Sequence, residues 1–199
     1  MNKVLLEYIS NNKKSFIKLL LFLLIGILLG VTYFNLFLKT DEKNIINNYI
    51  VDTYDLIKAN ENINFSKMFL ESIKRNFSYI GIIGICGLFI IGNIFIYIVL
   101  IIKGITFVFT ISSVLSAFGM SFKFWIFILN LILQNIIMIP CIILISEKSI
   151  KLYKIIINKL SNKKEELCKH IIIMLILFLL CFVSSLIEIY ISINFLIAF

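Results

Sequence analysis

Residues 79–102 form a stretch of 24 residues without a charged side chain, and residues 16–38, 122–146 and 171–195 are as long with one charge each: Lys18, Lys123 and Glu188. At about 1.5 Å of rise per residue, roughly 20 such residues cross a hydrocarbon core about 30 Å thick. A chain of 199 residues with 61% hydrophobic residues and a mean hydropathy of +1.05 has more apolar surface than a water-soluble domain of that length can bury. It is therefore read as a single all-α integral membrane domain, 1–199, a polytopic helical bundle whose required partner is membrane lipid. The formal charge of +8 does not indicate nucleic acid, because the lysines cluster at the ends of apolar runs and form no basic stripe with interleaved aromatics.

The spans are placed at 16–38, 79–102, 122–146 and 171–195. A shorter Ser- and Thr-containing segment at 104–119 is bracketed by Lys103 and Lys123, read as charges at the two membrane surfaces, and either spans or re-enters. About five spans result. The first apolar run ends without a small-residue cleavage site and reads as a retained anchor.

Lysine placement then gives the orientation. The tail 1–15 carries Lys3, Lys13 and Lys14, and segment 147–169 carries seven lysines, whereas loop 39–78 balances six basic residues with six acidic ones. The positive-inside rule puts the amino terminus and 147–169 in the cytosol, and 39–78 and the carboxyl terminus outside. Within the outside loop, Ile46, Ile50, Thr53 and Ile57 recur at helical spacing, as do Phe65, Phe69, Ile73 and Phe77. Two short amphipathic helices are expected, lying on headgroups or packing against the bundle, or else docking an extracytoplasmic partner.

No metal, cofactor or catalytic constellation is read from the residues. Cys86, Cys141, Cys168 and Cys181 have no C-x-x-C spacing, and the single histidine, His170, lies at the mouth of the last span as an interfacial residue. Glu188 lies about 26 Å along its helix from Ile171, which places it near the outer interface in an interhelical hydrogen-bonding role or on a substrate path.

Glycines and amides carry the packing information. "GILLG", Gly26 to Gly30, is a G-x-x-x-G, and Gly81, Gly84 and Gly92 share a side of the 79–102 run. Such residues let helices approach closely, inside one bundle or in a homodimer. "LQNIIMIP" sets Gln134 and Asn135 before Pro140, with Asn130 one turn earlier. Thr106, Thr110 and Ser113 are expected to face Asn130 and Gln134, fixing the register of two helices or lining a polar conduit. Pro140 frees the carbonyl of Ile136, and a kink is expected there.

"FLESIKRNFSYIGI" leading into a glycine-rich span, then "KGITFVFTISS", then "ILQNIIMIPCIILIS", resembles in order and spacing the stage II sporulation protein M family of endospore-forming bacteria. The matching positions are Phe69, Asn76, Gly104, Gln134, Asn135 and Pro140, and the departure is the lack of a second glycine at 107–110. The resemblance implies a multi-pass protein of the bacterial cell membrane with no catalysis of its own, anchoring the peptidoglycan hydrolases stage II sporulation proteins D and P during septal thinning and engulfment. From the residues alone, a transporter or channel subunit and the membrane half of an ATPase-driven exporter stand as the other readings.

Overall fold

The computed structural model describes residues 12–58, 65–89, 91–158 and 163–198, all of its regular structure helical. Six α-helices follow in order: α1 (Lys13–Thr32), α2 (Thr40–Lys58), α3 (Phe65–Cys86), α4 (Gly92–Phe118), α5 (Phe122–Ile157) and α6 (Lys163–Ala198). Among the described residues, four stretches are long and apolar enough to cross a membrane, Lys13–Phe37, Gly92–Phe118, Phe122–Ile157 and Lys164–Tyr190. The chain is a multi-pass membrane protein.

The break in the long apolar stretch differs from the expected one. The helix does not end near Lys103; α4 runs through Lys103 and Gly104 without interruption, and the chain turns between Cys86 and Gly92. Two glycines account for the turn, because each sits where no side chain fits. A Cβ on Gly87 would lie 2.9 Å from the Cα of Ser149, and one on Gly92 would run into the carbonyl of Cys86. The expected 79–102 and 104–119 segments are therefore redistributed between α3 and α4, and Gly92 opens α4 and shares no helix face with Gly81 and Gly84 of α3.

Direction follows from side-chain pairs. α1 and α4 run parallel with a constant offset: Phe22 stacks on Tyr97 at 4.4 Å, Gly26 backs onto Ile101, Gly30 onto Ile105, and Phe34 meets Phe109 edge-on at 5.6 Å. α3 and α6 are antiparallel, with Gly84 beside Met174, Phe77 beside Phe178 and Asn76 bonded to Ser185. α5 and α6 are antiparallel too, joined by Met138 to Cys181 and Gln134 to Glu188. One end of the bundle thus holds the start of α1, the 87–91 turn, the end of α5 and the start of α6. The other holds the end of α1, α2 and the turn between α4 and α5.

That second turn is closed by Gly119, whose φ of 58° lies in the left-handed region and whose N–H caps the carbonyl of Leu115 at 2.9 Å. α5 extends past the expected Ser146 to Ile157, and burial of Glu147, Ser149, Ile150 and Leu152 makes the first part of segment 147–169 bundle wall. Pro140 sits inside α5 on an exposed position, and the helix continues through it. The dry core lies toward the end with the 87–91 turn. Leu19, Ile80, Ile83, Ile96, Leu100, Ile142 and Ile145 are each 0% exposed there.

α2 starts with a local cap, Glu42 accepting the backbone N–H of Lys39 at 3.0 Å, and with Asp41 and Glu42 against the positive end of the helix dipole. Its inner face is fastened at the bundle end. Tyr54, 2% exposed, packs edge-on to Phe118 at 5.5 Å and near Phe127 at 6.2 Å, under the ammonium of Lys123 at 4.3 Å, and Asn47 donates to Ser116 at 3.0 Å. The second expected amphipathic helix is the first part of α3, and it enters the bundle.

Candidate functional site

α3 enters carrying polar side chains at helical spacing, Ser72, Arg75, Asn76 and Tyr79, a stripe that must find partners once surrounded by other helices. It finds them on α5 and α6. Glu188 accepts from Ser72 Oγ, from Arg75 at 2.6 Å and from Gln134 Nε2 at 2.6 Å. Asn76, 0% exposed, donates to Ser185 Oγ at 3.0 Å and accepts from Gln134 at 3.4 Å. Ser184 Oγ donates to the carbonyl of Gln134 at 3.3 Å. In hydrocarbon an unpaired amide or carboxylate is costly, so this three-helix network fixes the rotation and register of α3, α5 and α6 together.

Gln134 thus bonds to α3 and α6 and not to the threonines of α4. Thr106 and Thr110 instead donate to their own helix, to the carbonyls of Lys103 at 3.0 Å and Thr106 at 2.9 Å, and Ser113 does the same to Phe109 at 2.8 Å. Thr106 and Thr110 still line the same cavity as Gln134. This cavity, about 230 Å³, is bounded by Arg75 and Tyr79 of α3, Lys103, Thr106, Phe107 and Thr110 of α4, Gln134 and Asn135 of α5, and Glu188 of α6.

Lys103 is the largest departure from expectation. Instead of marking a membrane surface it is 7% exposed, eleven residues past Gly92 and fifteen before Phe118, so it lies about 16 Å and 22 Å from the two ends of α4. Its ammonium sits 4.9 Å from the ring centroid of Tyr79. The long apolar neighbourhood of Lys103 suggested a boundary only because the turn was placed beside it.

The remaining sequence candidates are placed as follows. Gly26, Gly30 and Gly104 interlock α1 and α4: a Cβ on Gly104 would fall 2.8 Å from the backbone nitrogen of Ile27 and 3.0 Å from the carbonyl carbon of Gly26. Gly104 supplies that approach without a second glycine at 107–110. Gly81 and Gly84 face α6, and His170, in the second turn of α6, is 5% exposed, its Nε2 donating to the carbonyl of Gly84 at 3.1 Å. Asn130 is half-buried one turn before Gln134, and Asn135 donates to the carbonyl of Leu131 at 2.8 Å.

The face Phe69, Ile73, Asn76 and Phe77, offered both as a docking candidate and as a face packing on the bundle, packs against the bundle. Phe69 meets Phe182 at 5.4 Å, Phe77 meets Phe178 at 4.8 Å, Ile73 is half-buried and Asn76 is fully buried. Phe65 opens α3, and its side chain lies outside the described residues. Sequence reasoning missed Ser72, Arg75, Lys103 and Ser185. The polar stripe Ser72, Arg75, Asn76 and Tyr79, running straight into an apolar stretch, was the signal for the first two.

Among the described residues, no group of three or more His, Cys, Asp or Glu side chains is arranged to hold a metal. Comparisons with curated proteins and with solved structures gave no match. A family model does match, that of stage II sporulation protein M, over residues 19–193, which reaches into every helix of the bundle and takes in each group of the polar network. The chain belongs to the stage II sporulation protein M family.

Proposed function

We propose that this protein is a non-catalytic membrane scaffold of endospore formation, which anchors and localises the peptidoglycan hydrolases stage II sporulation proteins D and P for septal wall thinning and engulfment. Family membership supports a sporulation-related membrane role. The observation that carries the scaffold reading is α2. Its inner face is pinned through Tyr54, while Ile45, Tyr49 and Leu56, 69%, 73% and 57% exposed, form with Asp52 an outward stripe at helical spacing.

In this reading α2 and the carboxyl terminus are extracytoplasmic and the amino terminus is cytosolic. Support comes from Lys148, Lys151, Lys154, Lys164 and Lys169, which share one end of the bundle with Lys13, Lys14 and Lys18. The docking surface moves from α3, where Phe69 and Phe77 are engaged with α6, to the outer stripe of α2. Ile45→Asp combined with Tyr49→Asp is expected to abolish co-purification of the two hydrolases while membrane insertion and bundle unfolding stay as in the wild type. Undiminished recovery of both hydrolases with a correctly inserted variant overturns the reading.

The polar cavity favours a second reading, a transporter or channel subunit. Against it, the dry core of Ile80, Leu100 and Ile142 closes the bundle on the side of the 87–91 turn. Solute flux in proteoliposomes that disappears with Gln134→Leu would establish that second reading.

A further inference from the structure

Lys103 is a cation without a counter-ion. More than nine-tenths of its surface is buried, and no carboxylate among the described residues lies within ion-pair distance of it. The one carboxylate that lines the cavity, Glu188, is engaged by Ser72, Arg75 and Gln134. Tyr79 offers the ammonium a ring face, which attracts a cation but supplies no lone pair. Two cations therefore face one carboxylate across a cavity of about 230 Å³, leaving one positive charge in excess.

We propose that this cavity is a binding site for a small monoanion, a carboxylate of acetate size or an inorganic ion such as chloride or dihydrogen phosphate. One negative charge balances the site, placed between the ammonium of Lys103 and the guanidinium of Arg75, whose Nη2 alone is engaged by Glu188. The volume admits a few heavy atoms together with water, each water taking about 30 Å³. Asn135, 4% exposed, is among the lining residues, and its Oδ1, an acceptor with no donor, calls for a water beside the anion and not for the anion itself.

Two other sources of negative charge fit less well. Lys103 lies near mid-depth of α4, whereas lipid phosphates lie roughly 15–20 Å from the centre of the bilayer. A carboxylate on a partner's transmembrane helix would enter beside Arg75, Thr106 and Thr110, which are exposed, whereas the ammonium it must reach belongs to Lys103, which is 7% exposed. The site goes beyond the scaffold reading and is tested with the purified protein alone, so its failure would leave that reading untouched.

The test uses the full chain in detergent at constant ionic strength and pH. Equilibrium dialysis against labelled acetate is expected to give saturable binding of about one anion per chain, displaced by chloride and phosphate but not by bulky morpholinoethanesulfonate. Lys103→Met is expected to weaken binding at least tenfold. Glu188→Gln, which removes the competing negative charge, is expected to tighten it. No saturable binding to the wild type overturns the proposal, and this reading does not depend on any variant folding. Acetate binding that persists in Lys103→Met, or equal displacement by the bulky anion, overturns it as well.

Discussion

Replacing Gly26 by alanine tests whether α1 and α4 are held by backbone approach. The added methyl would sit 2.9 Å from both the Cα and the carbonyl carbon of Ile101, and closer still to its carbonyl oxygen. Those are backbone atoms of a helix, so no side chain can swing away. Restoring ordinary contact distance moves the helices apart by about 0.5–1.2 Å, and a gap of about 0.5–1 Å already forfeits a quarter to a half of the dispersion well for the atoms that faced each other. Leu19 and Leu23, 0% and 6% exposed, are the buried leucines of α1. At roughly 100 atom contacts of about 0.15 kcal/mol for the two, half of them taken to face α4, the loss is about 2–4 kcal/mol. The better helix propensity of alanine returns up to about 1 kcal/mol, so the net destabilisation is about 1–3 kcal/mol.

The comparison is Gly81→Ala, where the nearest atom is the ring edge of Phe178 at 4.0 Å and the same propensity gain is expected with no clash. Unfolding in mixed micelles with rising SDS can be followed through the thiol reactivity of Cys141 and Cys181, 3% and 0% exposed in the folded bundle. The two substitutions should shift the midpoint in opposite directions. A Gly26→Ala protein as stable as the wild type, or both shifts of one sign, would refute the close-approach argument.

Two further outcomes follow from the same geometry. Glu188→Ala removes the acceptor of three interhelical bonds, each worth about 0.6–1.7 kcal/mol in a membrane protein, and is expected to cost about 2–5 kcal/mol by the same SDS assay; Glu188→Gln, which retains an acceptor, should cost less than half as much, and equal losses would contradict the assignment. Tyr54→Ala empties the anchor of α2 and should raise amide exchange across residues 40–58 at least tenfold while leaving α3 to α6 protected; unchanged exchange in α2 would show that the anchor lies elsewhere.

The sequence made the class and the number of long apolar runs readable, because hydrocarbon thickness fixes helix length and no other physics competes with it. It also made Gln134 and Glu188 visible, since polarity in an apolar run stands out. Less readable was where one uninterrupted run turns. Residues 79–102 have no charge to mark the turn, and the signal was a pair of glycines, Gly87 and Gly92, which in a membrane helix equally suggest packing. Misplacing that turn moved Lys103 from mid-bundle to a surface and detached Arg75 from Glu188. The inward face of α3 was hidden for a related reason. Phe69, Ile73 and Phe77 have the periodicity of any amphipathic helix, and periodicity does not say whether the apolar face meets headgroups or another helix.

Two kinds of contact hold the bundle, and they divide it. α1 and α4 are joined by glycine and apolar contacts at a fixed offset from Phe22 to Phe34, whereas α3, α5 and α6 are joined by the hydrogen bonds that meet at Gln134, Asn76 and Glu188. The halves share one dry core toward the 87–91 turn. Toward the α2 end their seam is the polar cavity, with Lys103 on one wall and Arg75 and Glu188 on the other. A monoanion held between Lys103 and Arg75 draws these walls together, and an empty site leaves two cations facing across the seam. α2 is fastened to both sides of that seam, through Ser116 and Phe118 of α4 and through Phe127 of α5. Occupancy of the cavity therefore bears on the helix that carries the proposed docking stripe through the relative position of α4 and α5, the two elements on which its anchor rests.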